Sequence, residues 1–137
     1  MTAENLKNWL KAKMELSDSQ IAVGCIDANK DRCIGVYDGK SEGGQRVCIG
    51  GRRNTRYQPR NYSILVHWTT SPVTAFNKAN EVYNMFHGLS NEVMGGVKVV
   101  SADPGAQPNW AGRDNRRIVE YVIRLKINYE RMNENAN

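Results

Sequence analysis

Apolar positions along the chain change period several times, and each change marks an element. From Thr2 to Leu16, Leu6, Trp9, Leu10 and Met14 fall at helical spacing behind a hydroxyl N-cap at Thr2, which predicts one amphipathic helix. Two short β-like runs follow, Ile21 to Ile26 and Cys33 to Tyr37, and the polar turn DANKDR between them predicts a hairpin. A glycine-rich loop, DGKSEGGQR, leads to a short strand at Val47 to Ile49. Tyr62 to Trp68 then alternates, with Tyr62, Ile64, Val66 and Trp68 on one side and Ser63, Leu65 and His67 on the other, so a strand is expected there.

Ser71 and Pro72 supply an N-cap and a first-turn proline for a second helix. Its stripe is Ala75, Phe76, Ala79, Val82, Tyr83 and Phe86, and Gly88 stops it. Val97 to Ala102 predicts a further strand, and DPGAQPNWAGRDN reads as a long loop. The last element alternates longest: Val119, Tyr121, Ile123, Leu125, Ile127 and Tyr129 face one way, Glu120, Arg124, Lys126 and Asn128 the other. Such a strand buries one face and turns the other to water or a partner. The tail from Met132 to Asn137 is polar. Two helices are too few to cover both faces of a parallel sheet. The expected class is therefore α+β, a twisted antiparallel β-sheet with helices packed on one face, in a single domain over residues 1–137.

Charge changes this picture at one place. The chain carries 19 Lys and Arg against 14 Asp and Glu, a net charge of +5. The stretch from Arg46 to Arg60 holds five arginines and no acid, so the remainder is neutral and the basicity is local. A local patch suits one anionic partner or one charged pore. The first residues contain no apolar run of signal-peptide length and no stretch approaches a membrane span, so a soluble protein made in a cytoplasm, with no membrane partner, is expected. Cys25, Cys33 and Cys48 form an odd set without the paired spacing of zinc sites, and buried free thiols are expected.

Several stretches suggest chemistry and fall short of it. GVYDGKS has three residues between its glycines where a phosphate loop has four, and SEGGQRV in place of a following helix. DANKDRCIGVYD has oxygen ligands at the first, third and fifth positions of a calcium loop, yet Arg32 occupies the place of the obligatory glycine and Asp38 that of the glutamate. Each of the two histidines has a structural explanation: His67 lies in a strand beside Trp68, and His87 closes a helix, where positive charge suits the dipole. A metal-dependent nuclease built on Asp103 or Asp114 is conceivable, but Asp114 is expected to pair with Arg116, Arg117 or a loop amide. Metal, cofactor and catalytic residues are accordingly not expected.

GGRRNTRYQPR, from Gly50 to Arg60, has arginine forks that suit phosphates and one tyrosine able to stack on a base. A small basic nucleic-acid-binding domain is therefore one reading, although no RRM, KH or helix-turn-helix signature accompanies the segment. A solvated loop between strands is another.

The N-terminal helix, the strand NYSILVHW running into the helix SPVTAFNKANEVYNMF, and NWAGRDNRRIVEYVIRLKINYER together resemble a group of small tailed-phage neck and tail proteins. That group comprises minor capsid and tail-completion proteins, with tail terminators and head-tail joining proteins. The resemblance implies a virion structural role without catalysis or cofactor: a ring, commonly of six subunits, that ends the tail tube and docks to the head. Implied partners are further copies of the chain, the major tail tube protein, a head-completion or connector protein, and passing DNA without sequence specificity. In such a ring Arg52, Arg53, Arg56 and Arg60 would face the lumen or the adjoining ring. Trp110, Arg113, Arg124 and Lys126 are the expected subunit or partner contacts, because Trp and Arg are enriched at interface hot spots.

Overall fold

A computed structural model describes residues 1–27, 29–39 and 57–130. The described elements are α1 (Ala3–Met14), β1 (Ile21–Val23), β2 (Cys33–Asp38), β3 (Tyr57–His67), α2 (Pro72–Phe86), β4 (Ser90–Met94), β5 (Val97–Asp103), β6 (Asn109–Arg113) and β7 (Val119–Glu130). The strands form a sheet in the order β1-β2-β3-β7-β5-β4, with β6 beside the first half of β7. The α+β class holds. The predicted strand at Val47 to Ile49 lies outside the described residues.

Both helices begin as their caps predict. Thr2 Oγ1 accepts from the Asn5 amide at 3.2 Å while Asn5 Oδ1 accepts from the Thr2 amide at 2.9 Å, a reciprocal capping box. Ser71 Oγ accepts from the Thr74 amide ahead of α2, with Pro72 at the first turn. Leu6, Trp9 and Leu10 of α1 and Ala75, Ala79, Val82 and Phe86 of α2 are buried in one core with Ile34, Val36, Tyr62, Ile64, Val66 and the odd residues of β7. Cross-strand register puts these sheet residues on one face, since Ile34 pairs with Val66 and Val66 with Tyr121. Both helices therefore cover the same face, and Trp9 meets Phe86 where they approach, with ring centroids 5.4 Å apart.

Cys33 is buried as expected but Cys25 is exposed, and four expected elements also need correction. The Ile21 and Cys33 runs are not a hairpin: β1 and β2 pair in parallel, Ile21 opposite Ile34. Gly24, at φ +79°, turns the chain off β1, and Asp27 holds the return turn by accepting from the Asn29 and Lys30 amides. The connection crosses the helix-free face, where Ile26 covers Gly35, before β2 starts beside the start of β1. The sheet is thus mixed, and among the described strands every pair but this one is antiparallel. Second, β3 starts at Tyr57, so the end of the arginine stretch is strand. Pro59 is tolerated because Asn61, of the same parity, bonds toward β2 through Gly39; the missing N–H of Pro59 therefore faces the side where β2 has ended.

Third, β4 is a strand although it is short and mostly polar. Gly95 and Gly96, both at positive φ, form the two-residue turn that pairs it with β5, and a Cβ on Gly95 would run into Asn5 of α1. Fourth, the loop after Asp103 contains β6, which pairs with β7 through a bulge between Trp110 and Gly112.

Candidate functional site

Two surfaces gather the charged and aromatic residues, one at each end of β7. At the end where β7 finishes, Arg124 and Lys126 stand on the helix-free face, opposite Ser63 and Asn61 of β3. They line an open groove of about 610 Å³ with Asp38, Asp103 and Gly105. Arg60 lies at the same end, donating to Asp38 Oδ1 at 3.1 Å with its guanidinium 5.8 Å from the Tyr62 ring. Burial is the largest influence and opposes its charge, but the hydrogen bond to Asp38 together with the nearby Asp38, Tyr62 and Tyr129 groups prevails and raises its pKa. Arg52, Arg53 and Arg56 lie outside the described residues. The chain that carries them leaves β2 at Asp38 and returns at Tyr57, so both of its attachments are at this basic end.

At the other end, Trp110 on β6 is 52 % exposed and stands edge-on to Tyr121 of β7 at 5.6 Å. Tyr121 in turn meets Phe76 of α2 edge-on at 5.7 Å, and Phe76 and Val73 are themselves exposed. Arg113 sits 5.9 Å from the Trp110 ring and donates to the carbonyls of Thr70 and Arg117 at 3.0 Å, which fixes it beside the aromatic group. The four expected interface residues thus divide into Trp110 with Arg113 at one end and Arg124 with Lys126 at the other.

At the same end of β7 as Trp110, but on the helix-free face, lies His67, which sequence reading underestimated. The alternation puts it on the helix-free face, yet it is fully buried, with Nδ1 3.0 Å from Glu120 Oε2 and Nε2 3.5 Å from Asp114 Oδ2. Asp114 accepts the Arg116 and Ile118 amides, each at 2.9 Å, as its expected role as a loop clasp requires. Burial works against the Asp114 carboxylate, but these amides and the nearby His67 and Arg116 prevail and lower its pKa. Arg116 reaches the Asn29 carbonyl, so the β6–β7 turn and the β1–β2 crossing close together over His67. Asp114 and Glu120 lie against the buried ring, and alternation carries no signal of this closure. Among the described residues no group of three or more His, Cys, Asp or Glu is arranged to hold a metal ion.

Residues 10–131 match the sequence profile of the family described as bacteriophage tail terminator protein. The matched stretch runs from the second half of α1 to the end of β7 and includes both surfaces. The chain belongs to the bacteriophage tail terminator family. It is a structural protein of the phage tail and a component of the virion. No curated protein sequence matches it. Among the described residues, no helix is long and apolar enough to cross a membrane. Trp110 is exposed at one end of β7, and Arg124 and Lys126 line the open groove at the other.

Proposed function

We propose that this tail terminator closes into a ring of six subunits that ends the tail tube and joins it to the head, without catalysis. The supporting observation is the separation of its two surfaces. An exposed aromatic group at β6 suits contact between subunits, and the basic end of β3 and β7 suits a lumen or a neighbouring ring. A closed ring needs two different complementary patches on each subunit. Passing DNA needs unspecific positive charge and no base readout, which arginines on a segment anchored at one end supply. The partners in this reading are the major tail tube protein on one side and a head-completion or connector protein on the other.

Native mass spectrometry over a wide concentration range, with and without tail tube, tests the ring. A sixfold species is expected, and a monomer under both conditions would refute it. Replacing Arg52, Arg53 and Arg56 with Ser is expected to leave the circular dichroism spectrum unchanged and to impair head joining or genome passage. Normal infectious particles from that variant would show the segment to be merely solvated.

A further inference from the structure

Two strand edges end the same row of the sheet. Ile21 pairs with Ile34, Ile34 with Val66, Val66 with Tyr121 and Tyr121 with Trp110, so one row crosses β1, β2, β3, β7 and β6. Among the described residues, the outer strands at this level are β1 and β6. The Ile34 amide donates to the Gln20 carbonyl and the Gly24 amide to the Val36 carbonyl, so even residues of β1 bond inward. Ile21 and Val23 consequently turn their N–H and C=O groups outward. On the opposite side, the Trp68 amide donates to the Val119 carbonyl, which places the bonds of odd β7 residues toward β3. Trp110, opposite Tyr121, therefore turns its own backbone groups to the open edge.

Open edges invite pairing, and folded proteins normally blunt them. We propose that the β6 edge of one subunit pairs with the β1 edge of the next, so that the sheet continues across the subunit boundary. This inference rests on the ring reading and names the contact that builds the ring. Strand polarity agrees: β1 runs with β2 and β7, and β6 runs against β7, so the new pair is antiparallel. Side chains agree as well. Trp110, 52 % exposed, and Val23, 37 % exposed, project from the helix-covered face and would cover one another at the joint. The remaining edge, β4, is a poorer partner: Asn91 at φ 54° interrupts it, and it runs parallel to β1.

Cross-linking tests the contact directly. In a Cys25→Ser/Cys48→Ser background, Trp110→Cys protein and Val23→Cys protein are mixed and treated with a short bismaleimide. Linked dimers are expected from the mixture and not from either variant alone. Val23→Pro removes an outward N–H while sparing the ladder to β2, and is expected to raise the concentration for half-assembly by about tenfold or more. Trp110→Pro makes the same test from the other edge should Val23→Pro fail to fold, as judged by circular dichroism. Rings by native mass spectrometry without the mixed cross-link, or Trp110-to-Trp110 links, would overturn the edge pairing and leave the ring standing. Monomers under every condition, tail tube included, would overturn both.

Discussion

Trp110→Ala separates a residue that holds the fold from one that holds an assembly. In the monomer about half of the Trp110 side chain remains in water, and its one aromatic contact is the edge of Tyr121. Losing the buried half and that contact costs about 1–2 kcal/mol. Phe86 supplies the comparison, being fully buried against Trp9, and Phe86→Ala costs about 3–5 kcal/mol. For 137 residues the unfolding entropy is roughly 0.3 kcal/mol per degree, so Tm should fall by about 3–7 °C for Trp110→Ala and about 10–17 °C for Phe86→Ala. Assembly should respond in the opposite order. A central aromatic anchor is worth about 2 kcal/mol or more at each interface, or roughly 30-fold in dissociation constant. Thermal unfolding of the monomer, with native mass spectrometry across concentration, measures both. If Trp110→Ala lowers Tm as far as Phe86→Ala while assembly is unchanged, Trp110 is a core residue and the reasoning about β6 fails.

Three further outcomes follow from the packing. Tyr62→Phe loses the hydrogen bond to the Met1 carbonyl, 3.2 Å long, and should cost about 1 kcal/mol in urea unfolding at neutral pH. Burial pushes the Tyr62 phenol up to about 12, against the lowering by Arg60. Its contribution is complete below the ordinary tyrosine value near 10 and is lost as pH rises through 12, so the gap between the two proteins should close there. Asp114→Asn should destabilise at pH 7; because the native carboxylate has a lowered pKa, the wild-type advantage is complete above about pH 4 and lost as pH falls through the native value. Urea midpoints at pH 7 and pH 3 check this, and a difference that does not shrink at pH 3 would refute it. Gly35→Ala places a Cβ 2.6 Å from Tyr37 Cε2 and 2.8 Å from Ile26 Cγ2, and should cost about 1–3 kcal/mol, measured as a lower urea midpoint.

Sequence alone determined what depends on near neighbours. Thr2 and Ser71 cap their helices through amides three residues on, and the alternation of β7 sorts its side chains between core and surface whatever strands lie beside it. The exposed Trp110 and the local charge of the arginine segment were likewise legible, since composition and a polar, proline-punctuated setting suffice to mark them. Tertiary structure decided what depends on partners distant in the chain. The direction of β1 beside β2 follows from a crossing held across the sheet at Trp68 and Arg116, and DANKDR reads the same in a hairpin as in a crossover. Strands β4 and β6 have little apolar alternation of their own and form because β5 and β7 offer them backbone partners. His67 is buried against Asp114 and Glu120, residues about fifty positions away in the chain. The two surfaces, and the open edges at Ile21 and Trp110, exist only once residues about ninety positions apart share a row of one sheet. Hydrophobic period is a property of a segment, whereas pairing, edge and closure are properties of the whole fold.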